Sequence, residues 1–181
     1  MKLRKRVAGL TLIEVSVSMV IMVLLISLAS GVILAGLSIF WRNAEYRAAQ
    51  NEGNAMYELL SGRIAYATSL DISRTGAALT GAYTEQIAIS SDTVTRQRNG
   101  DAPETVFDAG TLHGHTVSVG CKKDADQAFL QLTVEIYRED ELLYTRSGVV
   151  PYLNFDTKQG AFQISDFNMG DPVVLTYSYY E

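Results

Sequence analysis

From Val15 to Trp41 the chain runs for 27 residues without a charged side chain. Wound as a helix, that run is about 40 Å long, against a bilayer hydrocarbon core of about 30 Å. It is read as a membrane span, and in 181 residues it leaves room for one domain besides the anchor. Lys2, Arg4, Lys5 and Arg6 precede the run, and only Arg42 stands just beyond it. That asymmetry places the N-terminus in the cytoplasm and the remainder outside. At the inner edge sits a single carboxylate, Glu14. An acid costs roughly 2.5–3.5 kcal/mol at mid-bilayer and less near the interface, so Glu14 needs either a local partner or a task.

Three readings compete for this segment. The first is a secretory signal peptide cut after Ala29, where Ser27-Leu28-Ala29 supplies a small-x-small site. A signal core is typically about 7–15 apolar residues, whereas here Glu14 interrupts the early part and the apolar stretch continues past Ala29. The second is an uncleaved signal anchor carrying an extracytoplasmic binding module. In that case Thr11-x-x-Glu14 is a capping box, in which the threonine hydroxyl takes the Glu14 amide and the carboxylate reaches back. The capping role is compatible with the third reading.

The third rests on Gly9-Leu10-Thr11-Leu12-Ile13-Glu14 behind the short basic leader. This arrangement resembles the class III leader of type IV prepilins and pseudopilins, over about the first 42 residues. The resemblance implies that a prepilin peptidase cuts on the cytoplasmic side between Gly9 and Leu10 and methylates the new amine on Leu10. It also implies partners: other pilin or pseudopilin subunits, the membrane, and an assembly ATPase with its platform. Glycine before the cut lets an extended backbone lie close in a protease groove. The cation created at Leu10 would be neutralised by Glu14 of a neighbouring subunit. A buried charge is heavily penalised unless paired, so this pairing selects an axial register. Leu10 replaces the more usual phenylalanine, and Gly31 stands where major pilins often carry proline. These departures speak against a major pilin, and the single cysteine, the lack of a helix proline and the acidic, loop-rich head lean toward a minor pilin or pseudopilin. Ser27, Gly31 and Ala35 recur every four residues, a small-xxx-small face suited to close helix packing.

Beyond Trp41 the helical spacing continues through Met56, Leu59, Leu60, Ile64 and Ala67, with Arg47, Glu52, Glu58 and Arg63 at polar positions and Gly53 marking a bend. One helix is expected over roughly residues 11 to 69. Residues 73–83, rich in Gly, Ala and Thr, read as a connecting loop. Strands are expected at Gln86–Ser90, Thr93–Arg96, Thr105–Phe107, Thr116–Cys121, Leu130–Tyr137, Leu142–Arg146, Val149–Phe155, Ala161–Ile164 and Val173–Tyr179. Arg138-Glu139-Asp140-Glu141 closes a hairpin, and Pro151 puts its strand at an edge or a bulge. The fold class is therefore α+β, a long N-terminal helix against an antiparallel sheet. The division is a basic leader at 1–9, a spanning helix at 10–41, its amphipathic continuation at 42–70 and a β-rich head at 71–181. Tyr177, Tyr179 and Tyr180 either pack on the sheet or form an exposed contact surface, and packing is the reading preferred.

The formal net charge is −5, and without the four leader cations the balance is 11 basic against 20 acidic residues, a net of −9. Arg96/Arg98 and Lys122/Lys123 are too sparse for nucleic-acid phosphates, so no nucleic acid is expected as a direct partner. The single cysteine, Cys121, cannot close an internal disulfide and is read as a small apolar residue. His113-Gly114-His115 is a tempting ligand pair, with both rings on one side if the segment is a strand. Two histidines fall short of the three or four protein ligands of zinc, and Cys121 would lie about 20 Å away along a straight strand. Phe107-Asp108-Ala109-Gly110-Thr111 lacks the hydroxyl residue expected after an aspartic-protease aspartate. Asp124-Ala125-Asp126 lacks the spaced ligands and turn glycine of a calcium loop. No metal, no cofactor and no catalytic set is expected. The expected function is a structural subunit of a pilus-like or secretion or competence filament, held in the bacterial inner membrane before it reaches a surface filament.

Overall fold

The computed structural model describes residues 11–76, 84–99, 101–123, 129–153, 162–164 and 172–179. Gly9 and Leu10, the Asp124-Ala125-Asp126 segment, Phe155, Ala161 and Tyr180 lie outside these residues. The chain divides into two compact units, Met1–Ala44 and Glu45–Glu181. One helix, α1 (Leu12–Tyr66), begins in the first and ends in the second.

In the first unit every residue from Thr11 to Ala44 is exposed. The helix has a mean hydropathy of 2.7 in its most apolar window, none of it buried, and is long and apolar enough to cross a membrane. Four of its serines are satisfied internally: the hydroxyls of Ser16, Ser18, Ser30 and Ser38 donate to carbonyls of the preceding turn. That suits a helix whose surroundings offer no water to hydrogen-bond.

In the second unit α1 becomes one-sided. Ala49, Glu52, Gly53, Met56, Leu60 and Ile64 are buried, a stripe at i, i+4 spacing. Burying each of the large apolar side chains is worth about 1.5–3 kcal/mol. The helix stops at Tyr66, short of the expected residue 69, because the Thr68 amide donates to Ser178 O at 2.8 Å and the chain is drawn into a sheet. The result is β1 (Ser69–Ser73), a strand not expected from sequence. Only Leu70 and Ile72 carry its buried alternation, too few residues to be read as a period. Ala67 is buried as expected but lies just past the helix end.

The strands that follow are β2 (Thr84–Ile89), β3 (Val94–Arg98), β4 (Glu104–Phe107), β5 (Thr116–Lys123), β6 (Phe129–Arg138), β7 (Glu141–Pro151), β8 (Phe162–Ile164) and β9 (Val173–Ser178). They form two sheets where one was expected: a six-stranded sheet in the order β4-β3-β2-β9-β1-β8 and a three-stranded sheet β5-β6-β7. Pairing is antiparallel except for β1 with β8, which is parallel. β6 shows why the head folds: Leu130, Leu132, Val134 and Ile136 are fully buried while the alternate positions face outward.

The hairpin after β6 turns through Glu139, whose φ of 53° occupies a position that glycine prefers in two-residue loops. The two strands expected at 142–146 and 149–155 are a single strand, β7. Gly148 does not break it; a side chain there would run into the Tyr57 hydroxyl. Pro151 ends β7, which is an edge strand. Tyr177 is buried and Tyr179 packs partly against the core, while Cys121 is buried in it.

Candidate assembly and anchoring site

The helix entry is built as a reciprocal cap. The Thr11 amide and hydroxyl both donate to Glu14 Oε2 at 2.9 Å, and the Glu14 amide returns to Thr11 Oγ1 at 3.4 Å. This is the capping box expected from Thr11-x-x-Glu14. A carboxylate offers about four acceptor sites, so the cap leaves Glu14 with capacity for an ammonium. Ser27, Gly31 and Ala35 are exposed, and a Cβ added at Gly31 would meet nothing within 4 Å. The outer end of the apolar run carries Phe40 and Trp41, with ring centroids 5.7 Å apart and an interplanar angle of 76°.

The head holds one polar cluster that sequence reasoning did not assemble. Glu52, expected at a polar position, is buried, and its two oxygens are taken by His113 Nδ1 at 2.8 Å and His115 Nδ1 at 2.7 Å. The histidines are not on a strand: His113 sits in a turn at φ 50°, followed by Gly114 at φ 78°, and His115 precedes β5. That turn is built on a single bond of helical type, Leu112 N to Asp108 O at 2.9 Å, and is closed at both ends. Asp108 and Thr111 exchange side-chain to backbone bonds at 2.8 Å at its start. At its end Gly114 N bonds Ala109 O and His113 N bonds Gly110 O, the Schellman pattern with His113 in the place glycine usually takes. The Asp108 segment therefore acts as a cap, which also holds the Asp108 carboxyl below its ordinary pKa through the Thr111 amide and hydroxyl. Each imidazole bonds a different carboxylate oxygen, and among the described residues no group of three or more His, Cys, Asp or Glu is arranged to hold a metal ion.

A second buried carboxylate lies in the six-stranded sheet. Glu85 is 1% exposed, and it accepts from Arg98 Nε at 2.6 Å and from the Tyr177 hydroxyl. Burial pushes the Glu85 carboxyl up, but those two hydrogen bonds, together with the charges of Arg63 and Arg98, outweigh it and leave the pKa below the usual range. Burial likewise pushes the Cys121 thiol up to about 12, so it is inert as a nucleophile at neutral pH.

A family model described as a prokaryotic N-terminal methylation motif matches residues 4–30, a stretch that contains Gly9, Leu10, Glu14 and Ser27. No curated protein and no solved structure matches the chain.

Proposed function

From a methylation motif at residues 4–30 and a long apolar helix behind it, features consistent with the type IV pilin family, we infer that this chain is a pilin-like structural subunit, a minor pilin or pseudopilin. The motif carries the reading. Prepilin peptidase removes residues 1–9 between Gly9 and Leu10 and methylates the Leu10 amine. The processed chain waits in the inner membrane, anchored by residues 10–41, with residues 42–70 continuing the helix and 71–181 outside. An assembly ATPase and its platform then draw it into a filament. There Glu14 meets the Leu10 amine of a neighbour, and the Ser27, Gly31 and Ala35 face lets helices approach. The part it plays is assembly rather than catalysis.

The capping box makes the test sharper. Mass spectrometry of the native N-terminal peptide is expected to find a methylated Leu10. An intact Met1 supports the uncleaved anchor instead, and a start at Ser30 supports a secreted protein. Glu14→Gln keeps a side-chain acceptor for the Thr11 cap and removes the charge. If charge pairing sets the register, both Glu14→Gln and Glu14→Ala are cleaved normally and fail to enter filaments. Rescue by glutamine would reduce Glu14 to a helix cap.

A further inference from the structure

We propose that Phe40, Trp41 and Arg42 form an interfacial anchor that seats in the phosphate–carbonyl layer on the outer side of the membrane and sets the depth of the helix. This rests on the membrane-spanning reading of α1. Trp41 is 68% and Phe40 63% exposed. They close a run with no charge, and Arg42 is the first ionised residue after Glu14. From there α1 turns polar at once, through Asn43, Glu45, Arg47, Gln50 and Asn51.

Length decides where the pair sits. At a mean tilt of about 20°, the run of about 40 Å projects on roughly 38 Å. That exceeds the hydrocarbon core of about 30 Å and falls short of the 40–45 Å that includes both headgroup layers. The two ends of the run therefore fall in the two interfaces, Glu14 in one and Trp41 in the other. Indole, with an apolar body and one N–H donor, favours that layer, and the guanidinium of Arg42 reaches phosphate oxygens from the same level. The edge-on packing of Phe40 against Trp41 adds apolar area at the same level of the helix.

Trp41 is the sole tryptophan, so its fluorescence reports this site alone. The full chain is reconstituted in phosphatidylcholine/phosphatidylglycerol vesicles whose acyl chains carry bromine at graded depths. Emission shifted to shorter wavelength than indole in water is expected, with quenching strongest from the shallowest bromines. Quenching strongest at the bilayer centre, or water-like emission with no quenching, overturns the proposal. Failure to float with the vesicles overturns the spanning reading itself, so the two failures are distinct. As a ruler, Leu34→Trp with Trp41→Phe moves the indole about 10 Å deeper along the helix and shifts the quenching maximum to deeper bromines. For the anchoring itself, the Leu34→Trp reporter is combined with Phe40→Ala and Trp41→Ala. A displaced or broadened depth profile is expected, and an unchanged profile overturns the anchor.

Discussion

At the scale of single residues, the head is organised by two carboxylates that hold distant partners. Glu52 takes both imidazoles of a segment more than sixty positions away, His113 at a separation of 61 and His115 at 63. Replacing it with alanine leaves the His115 donor buried and unmatched, at a cost of about 1–3 kcal/mol, readable as a lower melting temperature of the detergent-solubilised chain. His115→Ala is expected to destabilise more than His113→Ala, because the His113 side chain is 68% exposed and water replaces its partner. Sequence reading found the two histidines and missed their acceptor. A carboxylate on an amphipathic helix is assigned to the wet face unless something on the other side of the core claims it. Glu14 was legible because its partner, Thr11, stands three residues away.

At the scale of elements, α1 shows how one helix serves two surroundings. Its first half is apolar on all sides, and its second half carries a buried stripe toward the sheets. Gly53 and Gly62 separate helix propensity from packing. An alanine Cβ at Gly53 would lie 2.5 Å from Tyr144 Cδ1, whereas at Gly62 it would meet nothing within 4 Å. Tyr144 cannot simply retreat, since its hydroxyl donates to Asn54 Oδ1 at 2.9 Å. Gly62→Ala is expected to stabilise by about 0.8–1 kcal/mol from propensity alone. Gly53→Ala gains the same amount but meets an overpacking cost of about 1–3 kcal/mol, so it is expected to destabilise. Chemical denaturation of the pair checks both signs. Gly53 is thus a point where Tyr144 of β7 comes close to the helix. Strand β6 was readable because four buried residues alternate in it. Strand β1 was not, because its pairing with β9 and β8 comes from segments about a hundred residues later.

At the scale of the whole molecule, the unit Glu45–Glu181 is expected to lose stability in acid through one buried carboxylate. Because the Glu85 pKa is depressed in the folded state, its stabilisation is complete above the ordinary carboxylate pKa of about 4.3 and is lost as pH falls through the folded value. Glu85→Gln is expected to be less stable than the parent at neutral pH, with the gap narrowing in acid. A gap of constant size across an acid titration of unfolding would assign the loss to packing instead. The sequence by itself determined the long apolar helix, the capped entry at Thr11 and Glu14, and the α+β class, because hydrophobic length and short periods are sums over neighbouring residues. Only the tertiary structure decided the split into two sheets, the parallel β1–β8 pair, the glycines crowded by tyrosines and the burial of Glu52 and Glu85. Each of those depends on which distant segments meet across the core, and no local window of the chain contains both partners.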